Sequence, residues 1–231
     1  MRQARRRGTD GPESDWSRYD VAGIGLRVLS GHRLGFSQRR AGFVALASDV
    51  DEAGGVAAVW LVRRPGSPDS AQHTLEFERG EGWRFLGSGG SSAREFLLDR
   101  RPSASVNGPT SMMRLVSSSA SRSWTDRDKQ AAGLGVDGAG WVACAGFRLA
   151  AEVGHLQIGE RSVAVPGHGY AIVAWRSPAA LTRPPIVAVG NDGSRLSELG
   201  AHDVLDSLTW ESVQRALLDD PWPGPGHSDT E

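Results

Sequence analysis

Two short bursts of apolar residues open the patterned part of the chain. FVALASDV (43–50) and VAAVWLVRR (56–64) are rich in β-formers and flank Asp51-Glu52-Ala53-Gly54-Gly55, which predicts two strands around a glycine turn. A polar loop, PGSPDSAQ, follows. TLEFERGEGWRFLG then predicts two more strands, bent at Gly80-Glu81-Gly82. The expectation is an N-terminal antiparallel β module over residues 19–87. Near its start, VAGIGLRVL fits either a short helix or a strand.

Patterning resumes at Trp141. WVACAGFRLAAEV (141–153) reads as extended, and HLQIGERSVAV (155–165) alternates about a turn at Gly159-Glu160. YAIVAW (170–175) is apolar at every position, which predicts a central strand covered on both faces. Residues 186–189 form a further strand, and Asn191-Asp192-Gly193-Ser194 a hairpin turn. After Gly200 the period changes. Trp210, Val213 and Leu217 fall on one face of a helix over residues 206–219, ended by Pro221.

These patterns predict a mainly β protein, α+β at the margins. Two antiparallel β-rich modules are expected, the second (141–219) sandwich-like and closed by the C-terminal helix. Residues 88–140 are Gly/Ser-rich and poor in apolar side chains, so they read as a partly ordered linker. The polar ends, a basic 1–18 and a Pro/Gly-rich 220–231, read as disordered tails.

GWRFLGSGGSS (82–92) raises the question of a phosphate cradle. Gly87 and Gly89 fit a dinucleotide fingerprint, but Ser92 stands where the third glycine belongs, and the strand before it comes from a hairpin rather than a βαβ unit. A Walker loop needs a lysine, and Lys129 is the single lysine among 26 Lys and Arg residues. The stretch therefore reads as a strand end entering the linker.

Composition narrows the classes. With 30 glycines and 12 prolines, turns and short strands are favoured over long helices. A formal net charge of -1 supplies no global field toward nucleic acid or anionic lipid, so neither is expected as a partner. One cysteine, Cys144, excludes an internal disulfide, and its apolar setting marks it as a small buried hydrophobe. No apolar run approaches the roughly 18 residues of a membrane span, and no apolar segment follows the basic start. A soluble, cytoplasmic protein is the expectation.

Catalytic spacings are missing. There is no G-x-S-x-G elbow and no HExxH, and no metal or cofactor is expected. Asp49, Asp51 and Gly54 resemble the front of a calcium loop, but Ala53 and Trp60 occupy later ligand positions, so a polar β-turn is the better reading. His155, His168, Asp192 and His202 fall at strand ends and turns, where they form a candidate polar cluster. Trp124, with Arg122 and Arg127 beside it, lies in the linker and is the candidate anchor for a protein partner. An apolar strand, a second carrying WLVRR and then a GWRFLG strand, with a short charged turn before the Trp, resemble over residues 40–90 the closing strands of cone-shaped α+β folds of the cystatin or NTF2-like kind. No functional motif accompanies that resemblance, and it names no family.

The function expected is a non-catalytic binding or scaffold protein with an unknown protein partner. The alternative is a small-ligand carrier or enzyme with a pocket between the two modules. A pocket with convergent polar groups favours the alternative, and a flat apolar patch around a loop tryptophan favours the first.

Overall fold

The computed structural model describes residues 20–32, 43–63, 69–78, 82–92, 112–124, 130–131, 133, 140–178, 182–203 and 207. Among these the fold is mostly β, as expected. VAGIGLRVL resolves as a helix, α1 (Val21–Leu29), capped by the Asp20 carboxylate on the Gly23 amide at 2.9 Å. The segments expected as tails (1–18 and 220–231) lie outside the described residues. So does the expected C-terminal helix, 206–219, apart from Ser207.

Among the described residues eleven strands build three antiparallel sheets. In the first sheet β1 (Phe43–Asp51), β2 (Val56–Arg63), β3 (Asp69–Glu78) and β4 (Gly82–Ser92) lie in chain order. The middle sheet has the order β5 (Met113–Arg122), β6 (Trp141–Leu149), β9 (Tyr170–Ser177). The third sheet runs β11 (Arg195–Leu199), β10 (Ile186–Gly190), β7 (Val153–Ile158), β8 (Arg161–Ala164).

Period-two alternation stacks these sheets. On β2, Ala57, Val59 and Leu61 pack with Ile24 of α1, while Val56, Ala58, Trp60 and Val62 pack on Val142, Cys144, Tyr170, Ile172 and Ala174 of the middle sheet. The opposite face of the middle sheet, with Ala145, Phe147, Val173 and Trp175, packs on Val153, Leu156, Ile186 and Leu199 of the third. The layers are therefore helix, sheet, sheet, sheet. At the first boundary between sheets, Gly146 is required by close approach. A Cβ there would stand 2.1 Å from Gln72 Nε2 and 2.7 Å from the Trp60 ring.

Several boundaries differ from the sequence reading. Within the span read as linker, residues 113–122 form β5, paired along its length with β6. GWRFLGSGGSS is strand to its end, because β3 supplies a backbone ladder, shifted once after Thr74, up to the Asp69–Ser92 pairing. The glycine suits what lies opposite, since a Cβ on Gly87 would sit 2.6 Å from Ser121 Oγ. YAIVAW is covered on both faces, as the pattern required, yet β9 is an edge strand. Face burial and lateral position are separate properties, and a run of apolar residues reports only the first.

No helix among the described residues is long and apolar enough to cross a membrane.

Candidate functional site

Two β-bulges decide which polar side chains turn inward. On β1, Phe43 and Ala45 face α1, and strict alternation would send Asp49 the same way. The pairing shifts between Ala45 and Ala47, and beyond the shift Ala47 and Asp49 face the middle sheet instead. On β5 a shift between Leu115 and Ser117 turns Ser117, Ser119 and Ser121 toward the first sheet. A third shift in the β3–β4 pairing, after Thr74, accommodates Leu86.

The result on β3 is a polar seam. Gln72, Thr74 and Glu76 face β5 and are all buried. Gln72 Nε2 donates to Ser117 Oγ, and Thr74 Oγ1 reaches Ser121 Oγ at 3.4 Å. Cys144 Sγ lies 3.2 Å from Ser119 Oγ. The Glu76 carboxylate accepts from Ser123 Oγ at 2.7 Å, from the Trp124 amide at 2.8 Å and from Arg176 Nη2 at 2.7 Å. Burial alone would raise the Glu76 carboxyl. The Ser123 hydroxyl, Arg176 and the Trp124 amide outweigh it and hold the group below the usual glutamate value.

A second knot lies on the free edge of β9. Asp49, though buried, accepts Arg161 Nη1 at 2.5 Å and the Ala174 amide at 2.8 Å. Arg161 Nη2 donates to the Ala174 carbonyl at 2.6 Å. The ion pair thus takes both backbone groups of Ala174 as a neighbouring strand would, and closes an edge otherwise open to pairing. It also ties β1, β9 and β8 together, one strand from each sheet.

One arginine from each knot, Arg176 and Arg161, lines a cleft of about 600 Å³, open to solvent. The β1–β2 turn contributes Asp51, Glu52 and Ala53, and the β7–β8 turn Gly159 and Glu160. Arg161, Trp175, Arg176 and Pro184 complete it with Val50 and Ile158. Arg176 is shared with the seam, and its Nε also donates to the Gly54 carbonyl at 3.0 Å. The charged groups of the lining are three carboxylates, Asp51, Glu52 and Glu160, and two guanidinium groups, Arg161 and Arg176. Among the described residues no group of three His, Cys, Asp or Glu side chains is placed to hold a metal.

The residues singled out from sequence lie elsewhere. Trp124 is half-buried against the core between the first and middle sheets, and its indole N–H donates to the Phe85 carbonyl at 3.1 Å. The Arg84 guanidinium stands 5.8 Å from its ring. Arg122 instead lies 5.4 Å from the Trp141 ring, and Arg127 is outside the described residues. Of the polar cluster, His155 pairs with Val189 and Ala164 near the Asp192 end of the third sheet. His168, in the turn after β8, accepts the Tyr170 amide on Nδ1 at 3.1 Å. Asp192 caps its own turn, accepting Ser194 Oγ at 2.6 Å, and that bond holds its carboxyl low. His202 follows Leu199, which pairs with Ile186 at the opposite end of the sheet. The register therefore separates His202 from the other three.

Sequence reasoning did not select Asp49, Glu76, Arg161 or Arg176 as site residues. The pattern places Asp49 in a polar turn, yet of the two aspartates only Asp51 serves that role, accepting the Gly54 amide at 3.1 Å. The available signal was a charge inside or abutting an apolar strand: Glu76 between Leu75 and Phe77, and Arg176 directly after YAIVAW. No protein-family model, curated protein or solved structure matches this chain.

Proposed function

We propose that this protein is a non-catalytic binding protein whose ligand enters the cleft where the three sheets meet. The observation that carries this reading is the cleft itself, walled by the turns of the N-terminal β1–β2 hairpin and of the C-terminal β7–β8 hairpin. Such a junction is a preferred place for a ligand. Its polar side chains converge, but the two arginines are committed to Asp49 and Glu76, an arrangement suited to a fixed shape rather than to proton transfer. Trp124, the earlier candidate anchor, is engaged with Phe85 and Arg84, so the cleft is favoured over a surface centred on that ring.

The test is capture from native host lysate, with mass spectrometry of bound proteins and small molecules, on two forms of the chain. Ala53 is exposed at the cleft rim, so Ala53→Trp should fill the cleft without disturbing the core. A species bound by the wild type and lost from an Ala53→Trp variant with an unchanged melt supports the reading. Equal capture by both, or capture by neither, overturns it.

A further inference from the structure

The core between the middle and third sheets is unevenly covered. Arg161 of β8 donates to the Ala174 carbonyl of β9, so β8 lies over β9. The order β8-β7-β10-β11 then runs across the middle sheet toward β5 and leaves β11 and β5 at the flank away from the cleft. The centre of this core is closed, with Phe147, Leu156 and Ile186 all fully buried. At the flank Leu115 and Ala120 of β5 and Leu196 of β11 pack on the same core but are only half-buried, and Ser118 between the first two is exposed. These side chains line an apolar slot with one open side. β11 is also the outermost strand of its sheet, which leaves its backbone edge to be covered.

The chain itself arrives at this place. The Glu198 amide, on the open edge of β11, donates to Ser207 Oγ at 3.1 Å. The same oxygen lies 3.3 Å from the hydroxyl of Ser197, a buried residue. The turn after β11 aims the chain back, with Asp203 accepting the Gly200 amide at 3.0 Å and Arg183 Nε donating to the Gly200 carbonyl at 3.0 Å. Ser207 is helical. The sequence that follows it, LTWESVQRALLD (208–219), puts Trp210, Val213 and Leu217 on one helical face and Glu211, Arg215 and Asp219 on the opposite one.

We propose that the slot is a seat for one amphipathic helix, and that its occupant is this chain's own segment 208–219. The segment is a strap fastened at Ser207, with Trp210, Val213 and Leu217 on Leu115, Ala120 and Leu196, and with Glu211, Arg215 and Asp219 in water. The lengths agree, since twelve helical residues span about 18 Å and the five residues of β11 about 17 Å. Attachment through Ser207 makes docking intramolecular, so a small apolar seat is enough to hold it. The strap also shields the edge of β11 from pairing with another chain.

Residue-resolved amide hydrogen exchange on the full chain tests this. The amides of residues 212–218 and of Glu198 should exchange slowly. Trp210→Ser on the strap and Leu196→Ser on the seat should each speed exchange at 212–218 by roughly tenfold or more, because either one frees the segment without opening the sheets. Unchanged exchange over residues 142–147 of β6 verifies that the sheets stay folded. Ala120→Gln alters the seat from β5 and should act as Leu196→Ser does without touching β11. Glu211→Gln, on the face turned to water, should change nothing. Exchange of 212–218 at the rate of an unstructured peptide in the wild type overturns the strap. Slow exchange that neither seat variant alters places the segment elsewhere and overturns the slot as its seat. Light scattering at two concentrations identifies the occupant. A monomer with slow exchange supports the strap, and protection that rises with concentration beside a dimer mass gives the seat to a second copy and overturns it.

Discussion

Arg161 closes on Asp49 at 2.5 Å although 112 residues separate them in the chain. The contact joins the first strand of the first sheet to the last strand of the third, across the free edge of the middle one. Removing Asp49 leaves the buried Ala174 amide without its acceptor, while Arg161, which lines the open cleft, keeps access to water. Asp49→Ala should therefore cost about 1–3 kcal/mol in urea unfolding. Replacing both partners, Asp49→Leu with Arg161→Met, should cost clearly less than the two single changes added together. A strictly additive pair would mean that the two side chains act independently.

Gly146 predicts the tolerance of the first sheet boundary. A methyl group there meets Gln72 and the Trp60 ring inside contact distance. Both neighbours are fully buried, so neither swings aside. Gly146→Ala should lower stability by about 1–3 kcal/mol. Gly25 on α1, where a Cβ meets nothing within 4 Å, serves as the control. Alanine there should be neutral or slightly stabilising in the same melt.

Acid should destabilise the fold in two steps. Burial pulls His73 down from the usual 6.5 of a histidine to about 4. The unfolded chain then binds the extra proton between those values, so stability falls as pH drops from about 6.5 toward 4, by on the order of 3 kcal/mol. Glu76 adds to the loss below this range. Its folded value lies under the ordinary 4.5, so its contribution is present above that pH and disappears as pH falls through the folded value. Urea midpoints from pH 7 to pH 3 should show both limbs, and His73→Gln should flatten the upper one alone. An unaltered upper limb in that variant would reassign it to another group.

Trp124→Ala separates two roles for the ring. As a staple it fastens the end of β5 to β4 through the Phe85 carbonyl and Arg84. The variant should then melt lower, with a loss of about 2–4 kcal/mol, and trypsin should cleave sooner at the arginines next to it. As a partner anchor it would keep its melt and lose capture. The bonds favour the first outcome.

Cys144 should be inert in the native protein. Burial pushes its thiol up to about 11, against the pull of Ser119. Alkylation at pH 7 should proceed only as fast as the middle sheet opens, and should become immediate in denaturant. Fast labelling of the folded chain would show that the seam beside Ser119 opens readily.

Alternation and turn chemistry in the sequence determined most of the strands. The glycine turn at 51–55, the Gly159 turn and the 191–194 hairpin all lie where glycine relieves the backbone, with Gly55, Gly159 and Gly193 at positive φ. The apolar runs of β2, β6 and β9 carried the same information, since a strand buried on both faces is mostly apolar. The faces of β1 and β5 were decided by tertiary structure alone. Each carries a bulge, and one extra residue reverses the phase of every side chain after it. A sequence does not mark where that residue falls, because the bulge is fixed by the partner strand and the layer opposite. Asp49 and Ser117, Ser119 and Ser121 were therefore illegible as inward-facing groups. Glu76 and Arg176 showed as charges in apolar company, but their pairing needed β3 and β9 brought together across 100 residues. Local patterning encodes what one strand does with its two faces; the cleft depends on where three sheets meet, and only long-range packing decides that.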